Sequence, residues 1–262
     1  MNKPIALTLL IFLLAACSAV PTLTDSKAIM NTPIATRTDI PTPDQVEVGL
    51  TLGDASKKLS QEPSLTFVPA PTPDSPVIKI DSETRYQQFE GAGASLTESS
   101  AFLIMSILDS HTRDILMHNL FTRKGQGIGL SYLRQPMGAS DFALSDYTYD
   151  DQPSGHSDPD LSDFSIDRDR KYVIPALRMA LELNPQLHIM GSPWSPPAWM
   201  KKNAQLHGSE LLPEYYQAFA DYHVKFVQAY ASEEIHIDAI TIQNEPNYAT
   251  SGYPSMFMPA SA

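Results

Sequence analysis

The sequence has a single cysteine in 262 residues, Cys17, so no disulfide closes within the chain. It has no HExxH, no paired-cysteine motif and no EF-hand loop, and its seven histidines are scattered, so no metal is expected. Cations are scarce. Against 30 Asp and Glu stand 18 Lys and Arg, a net charge of −12, which leaves no basic stripe to neutralise phosphates and excludes nucleic acid as a partner. Dinucleotide punctuation is missing too: Gly91-Ala92-Gly93 has no third glycine at the required place, so a Rossmann site is excluded and no cofactor is expected. The N-terminal apolar run, residues 5–14, is too short to span a bilayer.

That run has Lys3 before it and small residues after it, which is the pattern of a secretory signal. Leu14-Ala15-Ala16-Cys17 looks like a bacterial lipobox, in which cleavage leaves the cysteine to carry acyl chains. The expectation is a signal peptide over residues 1–16 and an acylated Cys17 that holds the protein to a membrane of the bacterial cell envelope. Ser18, rather than Asp, favours the outer membrane or the cell surface. Residues 17–76 read as a disordered linker. Between 18 and 76 lie 9 of the 22 prolines and one aromatic residue, Phe67, too little apolar surface to offset the entropy of ordering. A weakly ordered patch is expected around residues 46–52.

From Val77 the pattern changes. "VIKI" and "RYQQFEGAGAS" predict short strands, and a helix is expected from about Glu98 to Leu120. "GIGLSYLRQPM" predicts a buried strand ending at Pro136, and "DRDRKYVIPALRMALEL" a helix with Ser165 as N-cap and Asn184-Pro185 as stop. "QLHIMGS", "PEYYQAFADYHVKFVQAYA" and "IDAITIQN" follow as strand, amphipathic helix and strand. Alternating strands and helices imply an α/β fold with a parallel sheet. The expected architecture is a partial (β/α)8 TIM barrel over residues 77–262, about the first four strand–helix units. Barrel chemistry sits where strands end. There the sequence carries "GAGAS", "RQPMGASDF", "SPWSPPAW" and "NEP".

Each of these ends offers sugar chemistry. Glu245 at the last strand end suits a proton donor to a glycosidic oxygen, and Pro246 stiffens the turn that aims it. Asn244 beside it suits a sugar 2-hydroxyl, a contact that strengthens as the ring becomes oxocarbenium-like. Both tryptophans lie in "SPWSPPAWM": the loop prolines fix Trp194 as a stacking platform, while Trp199 is expected to pack the core. Asp141 accepts hydrogen bonds from sugar hydroxyls or caps a helix. Arg134, a charge inside an apolar strand, requires an acidic partner.

Together "FEGAGASLTESSA", "GIGLSYLRQPMGASDFALSDYTYDD", "GSPWSPPAWMK" and "TIQNEPNYATSGYP" resemble glycoside hydrolase family 30, the glucosylceramidase-like enzymes. The resemblance implies a retaining β-glycosidase with Glu245 as acid/base and Asn244 at the 2-hydroxyl. Asp141, Phe142 and Trp194 would bind the sugar, and Arg134 would support the carboxylates. The implied substrate is a β-glucoside, either glucosylceramide or a β-glucan. Such enzymes carry their nucleophile, a second Glu, on a seventh strand. Glu90, Glu98 and Asp141 do not match that position, so the chain is expected to stop before its nucleophile and to be inactive alone. Two other readings stay open: a non-catalytic carbohydrate-binding surface lipoprotein, and a barrel glycosidase of another family in the clan, since Asn-Glu-Pro recurs there.

Overall fold

The computed structural model describes residues 45–68, 76–79, 81, 83–124 and 127–260. The expected signal peptide, Cys17 and the expected linker up to residue 44 lie outside the described residues. Among the described residues no helix is long and apolar enough to cross a membrane.

Part of the expected linker is ordered. β1 (Gln45–Leu50) and β2 (Ser60–Thr66) pair antiparallel, which corrects the reading of these residues as a disordered tether with only a patch at 46–52. The cause is local. Val46, Val48 and Leu50 alternate as a strand requires, and the Asp54 carboxylate accepts hydrogen bonds from Ser56 N (3.0 Å) and Oγ (2.7 Å) in the connection.

A second sheet contains β3 (Gly93–Ser95), β4 (Tyr132–Met137), β5 (His188–Pro193) and β6 (Ala239–Ile240), all parallel and hydrogen-bonded in chain order. Helices fill the connections: α1 (Glu98–Phe102) and α2 (Ser110–Phe121), then α3 (Val173–Leu183), then α4 (Tyr216–Ser232). A doubly wound sheet would reverse its strand order at a switch point. Here the order never reverses, which is the progression of a barrel.

Several expected boundaries move. "VIKI" makes no strand in its described residues, and of "RYQQFEGAGAS" only Gly93–Ser95 pairs. The helix expected from Glu98 to Leu120 is interrupted by a π-turn at Leu103–Ile107 and restarts under an Asp109 cap, whose carboxylate accepts from Thr112 N at 2.9 Å. Ser165 does not cap α3. Its hydroxyl accepts from Asp167 N at 3.1 Å, and α3 begins at Val173 after a 3-10 turn, Asp169–Lys171.

The core follows from helical periodicity. α3 buries Val173, Ile174, Ala176, Leu177 and Ala180, and α4 buries Ala218, Phe219, Tyr222, Phe226 and Tyr230. Two glycines allow the close approaches. A Cβ at Gly93 would lie 1.3 Å from the Tyr132 carbonyl oxygen on β4, and one at Gly191 would lie 2.6 Å from the Phe226 ring on α4. The loop after β4 is tied to α4 through buried Asp169, which accepts from the hydroxyls of Tyr147 (2.8 Å), Tyr149 (2.6 Å) and Tyr230 (2.6 Å).

Candidate active site

Arg134 sits on β4, opposite Met190 of β5 in register, and its guanidinium reaches across the strand ends. Nη2 donates to Ser192 Oγ at 2.9 Å and to Asn244 Oδ1 at 2.6 Å. Thr241 Oγ1 donates to Ser192 Oγ at 2.7 Å, so a polar chain runs from β5 to the segment after β6. The guanidinium also lies 4.4 Å over the Trp194 ring. No carboxylate stands at ion-pair distance from Arg134 among the described residues, so the expected acidic partner is replaced by an amide oxygen, a hydroxyl and a π-face. Burial pulls the Arg134 guanidinium below its ordinary value, and the Asp141 and Glu245 carboxylates pull it back up. Both carboxylates therefore lie within electrostatic reach of one cation.

The bond from Arg134 fixes which end of the Asn244 amide is oxygen. Nδ2 then points toward Glu245, 3.3 Å from Oε2, and Tyr253 donates its hydroxyl to the same Oε2 at 3.0 Å. Asn244 itself is anchored by its backbone N–H to the Pro193 carbonyl at 2.8 Å. Glu245 is exposed and adopts φ +47°, a left-handed conformation that costs a non-glycine residue energy. Surrounding contacts hold the strain: Tyr248 N donates to the Glu245 carbonyl at 2.8 Å, and Met258 N to the Pro246 carbonyl at 2.7 Å.

Asp141 and Phe142 follow β4 and are exposed, Phe142 at 63 %. No helix starts at Asp141, which removes the capping role as an alternative. Trp194 stands at the end of β5 but is only 5 % exposed, with Arg134 against its ring, which corrects its reading as a stacking platform, whereas Phe142 and Tyr248 are exposed aromatics. Trp199 packs against the core, edge-on to Tyr215, with Nε1 donating to the Asp150 carbonyl at 3.1 Å. The other two carboxylates weighed from the sequence, Glu98 and Glu90, lie away from this site. Glu98 is buried and accepts from Arg168 Nε (2.7 Å), Arg168 Nη2 (3.0 Å) and Leu144 N (2.8 Å). Glu90 lines a cavity of about 1380 Å³ with His188 and Asp238, at the N-terminal end of the strands and away from barrel chemistry.

Three members of the site were not assigned from sequence. Tyr253 lies in the loop "SGYPSMFMP", where an aromatic eight residues after a strand-end glutamate was the available signal. Ser192 and Thr241 carried no signal, because small hydroxyl residues in strands are commonplace.

An exposed carboxylate on strained backbone, hydrogen-bonded by an amide and a phenol beyond parallel strand ends, can exchange a proton with a bound hydroxyl compound. The family model of the glycosyl hydrolase family 30 TIM-barrel domain matches residues 89–257. The chain belongs to glycosyl hydrolase family 30. Among curated relatives, endo-1,6-beta-D-glucanase BGN16.3 of Trichoderma harzianum is 36 % identical over 72 % of this chain and 41 % of its own length. Lysosomal acid glucosylceramidase of Mus musculus is 32 % identical over 68 % of this chain and 35 % of its own. Among solved structures, the endo-beta1,6-glucanase BT3312 superposes with TM-score 0.68 at 30 % identity, over 83 % of this chain and 46 % of that one. SrfJ from Salmonella typhimurium gives 0.70 at 28 %, again over 83 % and 46 %. The chain thus spans about two fifths of the length of these curated relatives and under half of these solved chains.

Proposed function

We propose that this chain carries the proton-donor half of a retaining β-glycosidase that acts on β-glucosides. Glu245 is the acid/base, Asn244 the partner of the sugar 2-hydroxyl, and Asp141 and Phe142 the contacts to the sugar, whereas Trp194, buried under Arg134, is not the open platform that the sequence led one to expect. Arg134 supports the carboxylates by fixing the Asn244 amide. The observation that carries the reading is the continuous chain Arg134–Asn244–Glu245–Tyr253 at the end of β6. The glucanase and glucosylceramidase relatives support a β-glucan or a glucosyl lipid as substrate.

Retention needs a second carboxyl group about 5–5.5 Å from the first. Glu98 is held by Arg168, and no carboxylate at the four described strand ends matches the nucleophile position that the family resemblance implies. Residues 1–262 alone are then inactive. The test is hydrolysis of an aryl β-glucoside by the purified chain beside its Glu245→Gln variant. The expected result is no difference between them; turnover that Glu245→Gln abolishes would mean that a carboxylate already in the chain serves as nucleophile. A sugar-binding protein without turnover is the second reading, favoured by the commitment of Glu98 to Arg168.

Placement in the cell is also a proposal: a signal peptide over 1–16, an acylated Cys17 and a linker carry the domain at the bacterial cell envelope. Cys17→Ser should move the protein from the membrane fraction to an uncleaved or soluble form, and unchanged fractionation would contradict the anchor.

A further inference from the structure

One buried charge lies outside the proposed chemistry. Lys201 ends the stretch "SPWSPPAWMK", directly after the 3-10 turn Ala198–Met200, and is 2 % exposed. No carboxylate stands at ion-pair distance from it among the described residues. The charged groups of the surrounding loops are engaged elsewhere: Lys202 pairs with Glu210, His207 faces Asp146 and the Ser251 carbonyl, and Glu245 accepts from Tyr253. Burying an ammonium without a counter-ion is costly, and burial pulls Lys201 down from the ordinary lysine value to about 7. An apolar side chain of the same length would fill the space at less cost, so the charge calls for a geometric reason.

That reason is found in its three acceptors. Nζ donates to Ser195 Oγ at 3.0 Å, to the Leu206 carbonyl at 2.6 Å and to the Ser255 carbonyl at 2.7 Å. Ser195 gives its own proton to the Pro196 carbonyl at 2.9 Å, so its oxygen accepts from Lys201. Three acceptors face one nitrogen, which uses all three ammonium protons. A neutral amine has two protons and a lone pair, and would turn that lone pair on an oxygen. Each acceptor stands beside the site. Ser195 follows Trp194, whose ring lies under Arg134 and whose carbonyl accepts at 2.6 Å from Gln243 Nε2, one residue before Asn244. Leu206 and Ser255 belong to the loops after β5 and β6, and Ser255 N also donates to the Leu206 carbonyl at 3.0 Å. Ser255 Oγ closes its own loop: it accepts from Thr250 N at 2.9 Å and from Gly208 N at 3.1 Å, and donates to the Thr250 carbonyl at 2.9 Å. Tyr253, which donates to Glu245, lies inside that closed loop. Lys201 thus holds the loop at Ser255, two residues from the phenol.

We propose that Lys201 is a positioning residue for the proton donor: its buried ammonium fastens the loop after β6 to the loop after β5 and so sets the Tyr253 hydroxyl against Glu245. The inference rests on the reading of Glu245 as the acid, and the test separates the two. In the full chain, the phenol titration of Tyr253 is followed by its ¹³Cζ shift in three proteins: the parent, Glu245→Gln, and Lys201→Met, which keeps the length and removes the charge. Thermal unfolding checks each. Both variants should bring the titration down toward the ordinary phenol value by comparable amounts. A lysine that merely fills the core would lower the melting temperature on removal and leave the titration where it was. An unchanged titration in Lys201→Met, with the Glu245→Gln effect present, overturns the positioning role and leaves the strand-end reading intact. The reverse pattern keeps the hold of Lys201 on the loop and removes the strand-end reading of Glu245. The parent chain supplies a second measurement that needs no variant to fold. Around pH 7, where burial places the Lys201 titration, the ¹³Cζ shift of the still neutral Tyr253 should step with the midpoint of the Lys201 ¹³Cε shift, as the ammonium loses its third bond. The step should survive His207→Gln. A step that vanishes with His207→Gln, or no step at all, overturns the assignment to Lys201.

Discussion

Two carboxylates in this molecule accept hydrogen bonds from tyrosine, and their surroundings differ in nearly every other respect. Asp169 is 1 % exposed and receives three phenols, from the loop after β4 and from α4. Burial holds its pKa above the ordinary carboxylate range although the three hydroxyls pull it down. Glu245 is exposed, receives one phenol, shares an oxygen with a neighbouring amide and sits on strained backbone. A carboxylate saturated by donors in a dry interior has nothing left to offer a ligand. One that is open, partly satisfied and held at an unfavourable φ keeps lone pairs for chemistry. The contrast separates a brace from a working group more sharply than residue type does.

The comparison can be broken first at its structural end. Asp169→Ala strands three buried hydroxyls and should cost about 3–5 kcal/mol, the scale for removing one partner from a buried charged network. Urea unfolding checks it, and a loss below about 1 kcal/mol would mean that Asp169 is no brace.

A third carboxylate lies between the two extremes. Asp150 is buried, its Oδ2 has no partner, and burial lifts its pKa to about 6, against one stabilising bond from Gln152. The folded protein holds this proton to higher pH than the unfolded chain does, so it binds more protons between about pH 4 and 6, and stability falls as pH rises through that window. Asp150→Asn should remove that slope and raise the melting temperature at pH 7.5 more than at pH 4. Thermal unfolding at both pH values decides it; a rise of equal size at the two would contradict the assignment.

At the working end, Glu245→Gln should leave folding stability within about 0.5 kcal/mol, because no buried partner is stranded. The smallest effect is spectroscopic. The hydrogen bond to Glu245 holds the Tyr253 phenol above its ordinary value, so Glu245→Gln should bring that titration down, read from the ¹³Cζ shift of Tyr253. An unchanged titration would mean that the Tyr253–Glu245 contact does not form in solution.

The sequence made the strand ends legible because barrel chemistry is punctuated: proline, glycine and tryptophan stand at fixed places where strands stop. The strands expected to end at Pro136 and Ser192 each run one residue further, to Met137 in β4 and Pro193 in β5, which are paired on both sides, although β4 starts only at Tyr132, five residues after the expected start. Legibility failed where pairing or burial comes from distant residues. "IDAITIQN" reads as eight strand residues, yet only Ala239–Ile240 pair, with β5 alone as neighbour. The burial of Trp194 under Arg134 depends on two strands meeting, which no local pattern encodes. The same holds for Tyr253, whose role is set by the fold of its loop back onto Glu245.

The central claim is that Glu245 delivers a proton to the leaving group. It is tested most directly by the leaving-group dependence of Glu245→Gln, measured in an active enzyme that contains this domain. Unactivated β-glucosides should lose roughly 10²–10⁴ in rate, while aryl glucosides with good leaving groups should keep theirs at the glycosylation step. Equal losses for both substrate types would show that Glu245 is not the acid.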